Sequence, residues 1–243
     1  VVGTGVSETR TTIKVDIWSD IACPWCFIGK RRFEDALMRL RSSGFDHTVE
    51  VEYHSFELAP DTPVDFEGSE VDFLAKHKGM PADQVQRMLT QVTEIAESVG
   101  LHYDFDTLQH TKTLKAHELL HFAKTQGRQL AMKERLLEAY FEQGKHVGRV
   151  DELVDLAAEV GLDRGETRHA LESGEFAPDV EADFAQAAAY GIQGVPFFVV
   201  NSRYGISGAQ DPAVFVDVLQ QAAADAVAPA AQDPSPEAAT GAR

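Results

Sequence analysis

Apolar positions along the chain keep two different rhythms, and these divide it into three stretches. Residues 13–19 and 49–58 read as strands. In the second, Val49, Val51, Tyr53 and Ser55 alternate with Glu50, Glu52 and His54, the period of two that a pleated strand imposes. Between them Phe33, Ala36, Leu37 and Leu40 recur at helical spacing, which predicts a helix over residues 24–42 closed by Gly44. From residue 69 to 190 the pattern is helical throughout. Val85, Met88, Leu89, Val92, Ile95 and Val99 form one stripe, stopped by Gly100. Residues 114–124 and 130–141 give two more helices, separated by Gly127. Asp151 is placed to cap a helix running through Val160, and Asp163 with Glu166 has capping-box spacing for the next. Pro178 opens a further helix with Val180, Phe184, Ala187 and Ala188 inward, ended by Gly191. Residues 195–200 then read as a buried strand, 201–205 as a hairpin turn and 206–208 as the start of a returning strand. Asp211 and Pro212 begin a last helix that turns Val214, Phe215, Val218 and Leu219 inward.

The layout is β-α-β, a helical block, then β-β-α. Neither flank is long enough to enclose a core of its own. The expectation is an α/β protein in which residues 12–68 and 191–225 complete one domain and residues 69–190 form an inserted helical domain. Residues 1–11 and 226–243 are rich in Gly, Ser and Thr, or in Ala, Pro, Asp and Ser, and are expected to be disordered.

The only two cysteines, Cys23 and Cys26, fall where the first strand turns into the first helix. Pro24 suits the first helical position, because it has no N–H to leave unpaired there. Cys23 therefore sits at a helix N-terminus, where orphan N–H groups and the helix dipole favour an anion. A thiolate is such an anion, and it is the reactive form of cysteine. Cys26 follows one turn later, within reach of a small disulfide ring. A ring this small restricts the unfolded chain too little to serve as a structural staple. A structural zinc needs two more ligands, and no second Cys or His pair follows at short spacing. His117 and His121 are an i, i+4 pair in a distant helix that reads as structural. These two and His54, His102, His110, His146 and His169 are scattered, and none sits in a recognisable ligand motif. A redox-active pair without a metal is the reading that remains. Trp18 reads as core and Trp25, in the turn, as partly exposed, while Tyr140 and Phe141 read as helix-packing residues.

The formal charge of −17 argues against nucleic acid and anionic membrane surfaces as partners. Apolar runs such as 195–200 are far too short to span a bilayer. Residues 1–12 lack the apolar core of a secretory signal, which places the protein in the cytoplasm unless a signal was removed before Val1.

The β-α-β and β-β-α halves around a Cys-x-x-Cys helix start resemble the thioredoxin fold, and the helical insertion resembles the DsbA family. The segments 19–26 (Ser-Asp-Ile-Ala-Cys-Pro-Trp-Cys), 191–198 (Gly-Ile-Gln-Gly-Val-Pro-Phe-Phe) and 206–210 (Ile-Ser-Gly-Ala-Gln) resemble its FrnE-like branch of dithiol-disulfide oxidoreductases. The resemblance implies Cys23 as attacking thiol, Cys26 as resolving thiol, and Pro196 as a cis proline facing the pair, with the Val195 backbone free to hold an extended partner. It implies no cofactor, a disulfide- or thiol-containing protein or small molecule as substrate, and glutathione or a thioredoxin-type reductant as candidate co-substrate. Two departures matter. Trp25 stands where well-known members carry His, so Cys23 is expected to be less acidic than the ~3.5 of DsbA and nearer the ~7 of thioredoxin. Ile17 stands where many relatives carry a buried acid thought to accept the resolving thiol's proton. Asp20 is then the nearest candidate, with Asp16 on the opposite face, though either reads equally well as a solvated carboxylate. Cys23 is expected to be the more exposed and more acidic thiol. A glutathione-dependent enzyme resembling the kappa-class transferases and hydroxychromene-carboxylate isomerases, and a thiol-based holdase or sensor, are the competing functions. The complete Cys-x-x-Cys pair favours exchange over the former, whose members usually carry Ser at the first position.

Overall fold

A computed structural model of the protein describes residues 11–227. Four strands form one sheet in the order β2-β1-β3-β4: β1 (Thr12–Ser19), β2 (Thr48–Ser55), β3 (Phe197–Val200) and β4 (Tyr204–Ser207). β1 runs parallel to β2 from Thr12 beside Thr48 to Ser19 beside Ser55. It pairs antiparallel with β3, Ile17 beside Phe198, and β3 turns back into β4. Asn201 and Ser202, with φ of 49° and 54°, turn the chain in the three-residue connection 201–203 that leads from Val200 back to Tyr204. The two flanks thus share one sheet, as the layout requires.

Helices α1 (Pro24–Ser42) and α9 (Pro212–Val227) cover one face. Phe33, Ala36 and Leu40 of α1 and Phe215, Leu219 and Ala222 of α9 pack with Ile13, Val15, Ile17 and Phe198. On the other face Trp18 and Val199 pack against Ala187 and Ile192. Between β2 and β3 run α2 (Glu70–Lys78), α3 (Ala82–Glu97), α4 (Leu114–Thr125), α5 (Gln129–Phe141), α6 (Val150–Glu159), α7 (Arg164–Ser173) and α8 (Ala177–Ala189). Their core is continuous with Ile21, Phe27 and Ile28, so the start of α1 lies where two cores meet. No helix among the described residues is long and apolar enough to cross a membrane.

β2 is an edge strand, and the helices close it. The Gln129 side-chain amide donates to the Tyr53 carbonyl and accepts from the Tyr53 N–H, both at 2.9 Å. Asp183 accepts the Ser55 N–H at 2.7 Å. Side chains thereby satisfy the main-chain groups that would otherwise invite another strand.

Several details differ from the sequence reading. β2 ends at Ser55, because the chain leaves the sheet to bring the Leu58 N–H to Asp20. α6 begins one residue before Asp151, with Arg149 as N-cap, and Asp151 lies in the first turn, where the dipole still favours its charge. In α8, Asp183 is buried and Ala188 exposed, since Asp183 faces the sheet edge. Val214 is exposed, and Phe215 carries the inward face of α9. α9 also runs through Ala226 and Val227, which were read as tail; Ala is the best helix former. Residues 228–243 and 1–10 lie outside the described residues.

α1 passes close under the third strand. A Cβ added at Gly29 would lie 2.9 Å from the Pro196 Cγ and 3.4 Å from the Ala209 Cβ. A proline ring cannot swing aside as a long side chain can. Gly29→Ala is expected to lower the free energy of unfolding by about 1–2 kcal/mol net, overpacking outweighing about 1 kcal/mol of gained helix propensity. The denaturant midpoint of the purified variant measures it.

Candidate active site

Cys23 is the N-cap of α1, with φ −100° and ψ 112°, and its carbonyl accepts the Cys26 N–H at 3.0 Å. Pro24 is the first helical residue, and the first turn carries no acidic side chain to compete with a thiolate. The turn is held from two sides. The Tyr103 hydroxyl donates to the Pro24 carbonyl at 2.6 Å. On the other side the Cys23 thiol lies 3.5 Å from the Val195 carbonyl, with the Val195–Pro196 bond cis as the resemblance implied. Pro196 is itself fixed: its carbonyl accepts the Gly208 N–H at 2.8 Å, and Arg32 reaches the Ala209 carbonyl.

Both thiols are buried, each 3 % exposed, so Cys23 is not the more exposed sulfur. Access nevertheless distinguishes them. A cavity of about 250 Å³ reaches Cys23 but not Cys26, and it is lined by Trp25, by Met88, Leu89 and Val92 of α3, and by Phe105. Trp25, 40 % exposed, forms part of its rim as the sequence suggested.

The expected acidities are reversed in the free dithiol. Hydrogen bonding to Cys26 and burial push the Cys23 thiol well above its ordinary value. Burial would also raise Cys26. The hydrogen bond from Cys23, the Lys133 ammonium, the Ser19 hydroxyl and the Asp20 backbone together bring it below. Of the two sulfurs the inner one is therefore the stronger acid. The helix N-terminus favours an anion at Cys23, but the hydrogen bond between the sulfurs, helped by the Lys133 ammonium, favours the inner one.

Asp20 is not a solvated carboxylate. It is buried and accepts four hydrogen bonds, from Ile21 N–H at 2.7 Å, Leu58 N–H at 2.9 Å, the Thr113 hydroxyl at 2.8 Å and His117 Nε2 at 3.1 Å. Burial opposes its charge, but His117 and the other donors hold its pKa below the ordinary carboxylate value. A carboxylate so occupied makes a poor proton acceptor. Burial lowers the His117 pKa below its ordinary value, against the pull of Asp20.

Asp16 is likewise buried, and the structure gathers histidines that read as scattered. His54 Nε2 bonds Asp16 and Nδ1 bonds Asp183, both at 2.7 Å, with the ring stacked 4.4 Å from Trp18. His121 Nε2 bonds the other Asp183 oxygen at 2.8 Å. Asp16, Glu52 and His54 bring one potential ligand atom each within 4.8 Å of one another. Both His54 nitrogens are already engaged, Lys14 pairs with Asp16 and Lys124 with Glu52, so the group reads as an ion-pair network. Sequence reasoning missed Asp183, Lys133 and Gly29. A usable signal existed for the first two: each is a charged residue on the apolar face of its helix.

A thioredoxin-like sheet with a helical insertion and a Cys-x-x-Cys pair at the first helix start defines a thiol–disulfide oxidoreductase class. The chain matches the DSBA-like thioredoxin domain model over residues 14–220, and it belongs to that family. It is 33 % identical over 208 residues to the protein YwbO of Bacillus subtilis (strain 168), covering 84 % of this chain and 94 % of that one. It is similar to the crystal structure of a probable DsbA oxidoreductase from Streptomyces coelicolor, with a TM-score of 0.83 and 38 % identity over 91 % of this chain and 94 % of that chain. The fold is also that of the cytosolic disulfide reductase DsbM from Pseudomonas aeruginosa with GSH, with a TM-score of 0.58 and 20 % identity over 86 % of this chain and 98 % of that chain.

The ion pairs around His54 give stability a defined pH dependence. Burial lowers the His54 pKa, but Asp16 and Asp183 outweigh it and raise it to about 9. A folded-state pKa above the unfolded one means that the contribution is complete below pH ~6.5 and is lost as pH rises through about 9. The shift corresponds to at most about 3 kcal/mol. Denaturation of the wild type and of His54→Gln across this window should show their stability difference shrinking as pH rises. A constant difference would sink the assignment.

Proposed function

We propose that the protein is a dithiol–disulfide oxidoreductase of FrnE-like type, working through Cys23 and Cys26. The observation that carries this reading is asymmetric access: Cys23 faces the cavity and the Val195 main chain, and Cys26 lies behind it. Cys23 attacks a substrate disulfide RS–SR′, a bond forms between its sulfur and SR, and R′S⁻ leaves with the Cys23 proton as R′SH. Cys26 thiolate then attacks the Cys23 sulfur, and RS⁻ departs as the Cys23–Cys26 disulfide closes. Two electrons pass from the enzyme to the substrate, and the same steps reversed oxidise a dithiol.

Residues 12–68 with 191–225 carry the exchange chemistry in this reading, and residues 69–190 supply one wall of the substrate cavity. Asp20 and Trp25 shape the turn, and Val195 and Pro196 offer main chain on the other side of Cys23 from the cavity. The substrate is a disulfide- or thiol-containing protein or small molecule. Glutathione as electron donor is supported by the GSH named with the Pseudomonas reductase, and that protein's cytosolic description supports a cytoplasmic location.

Cys23→Ser is expected to reduce exchange with oxidised glutathione or a disulfide peptide to the uncatalysed background. Cys26→Ser should form the mixed disulfide at Cys23 and stall there, which mass spectrometry of the intact protein detects. Exchange that survives Cys23→Ser would overturn the proposal. Glutathione-dependent turnover of an electrophile that survives Cys26→Ser would replace it with the transferase reading.

A further inference from the structure

The inward face of α5 carries Met132, Leu136, Leu137 and Tyr140, and among them Lys133. Lys133 is 1 % exposed. A primary ammonium at this depth is strongly unfavourable unless an anion answers it. Among the described residues no carboxylate lies within ion-pair distance of it. Its one hydrogen bond goes to the Asp20 carbonyl at 3.5 Å, and the Tyr53 ring lies 5.4 Å away.

The groups that act on it are few. Cys26 attracts it most, followed by Asp20 and Cys23, while Lys30 repels it and it in turn repels a proton from His117. Lys30 is taken up by Glu34 and Glu134. The Asp20 carboxylate is occupied by its four donors. The anion left for Lys133 is the Cys26 thiolate, and the Asp20 main chain connects them: its carbonyl takes the Lys133 proton donor, and its backbone bonds Cys26. Burial brings the Lys133 pKa down to about 8, within range of a thiol.

We infer that Lys133 is the buried proton carrier of the resolving thiol, an ammonium beside the Cys26 thiolate in the dithiol enzyme and a neutral amine once the disulfide has closed. The inference rests on Cys23 and Cys26 being the redox pair. In the dithiol enzyme Cys23 holds one proton and Lys133 another. As Cys23 attacks RS–SR′, its proton reaches R′S⁻, giving R′SH. Cys26 remains a thiolate against the ammonium and attacks the Cys23 sulfur. The bond to R breaks with its electron pair, and RS⁻ takes the Lys133 proton to leave as RSH. One disulfide has been reduced, one formed, and Lys133 is uncharged in a site that no longer holds an anion.

Three measurements on the full chain test this. In a Cys23→Ser background, thiolate absorbance reports the Cys26 pKa, and Lys133→Met should weaken Cys26 as an acid at least tenfold, with Lys133→Arg restoring it. At pH 7 the mixed disulfide with glutathione at Cys23 should resolve on the order of 10²-fold more slowly in Lys133→Met, in line with losing a positioned proton-transfer group. Nitrogen-15 NMR of the wild-type Lys133 side chain, which requires no substitution to fold, should read ammonium in the dithiol form and amine in the disulfide form. An unchanged Cys26 pKa, an unchanged resolution rate, or one protonation state in both redox forms would overturn the inference. A wild type that exchanges while any of these fails leaves the redox pair standing; a wild type that does not exchange removes the pair itself.

Discussion

A buried carboxylate keeps its charge only if hydrogen bonds replace its water, and the active end of this protein is assembled around one. Asp20 draws donors from the end of β1, from the loop after β2 and from the start of α4. Each donor comes from a segment that would otherwise be free to drift relative to the others. Burying an ion without them would cost several kcal/mol, so the four arrive together or the site is not formed. Cys23 follows three residues later, and its position is inherited from that knot. The carbonyl of the same residue receives Lys133, so that side chain, which lowers the Cys26 pKa, is referenced to the same point.

Much of the frame was legible along the chain. β1, α1 and the β3–β4 hairpin are set by local periodicity, by Pro24 at a helix start and by turn residues, all of which act within a few positions. Pro196 beside the cysteine pair followed from the resemblance. The electrostatics were not legible. Asp183 meets His54 and His121, and Asp20 meets His117, across stretches of sequence that carry no mutual signal. Asp and Lys are ordinarily solvated, yet Asp16, Asp20, Lys133 and Asp183 are all buried. The acidity of Cys23 failed for a related reason. A helix N-terminus is a weak, fixed influence, whereas the hydrogen bond between the two sulfurs, with Lys133 near the inner one, favours charge on Cys26.

The helical insertion does more than wall a cavity. Gln129 and Asp183 occupy the open side of β2 with side-chain groups in place of a fifth strand. The same Asp183 holds His54 against the underside of Trp18, so edge closure and ion pairing depend on one residue.

The pairing of Val15 with Val200 has a consequence for how the chain is made. At usual ribosomal rates, Cys23 and Cys26 emerge on the order of ten seconds before Pro196 exists. Throughout that interval β1, in the interior of the finished sheet, lacks its antiparallel neighbour, and Cys23 lacks the Val195 carbonyl beside it. The nascent chain therefore exposes its thiols before the part that encloses them exists, and residues 195–207 complete both the sheet and the shield.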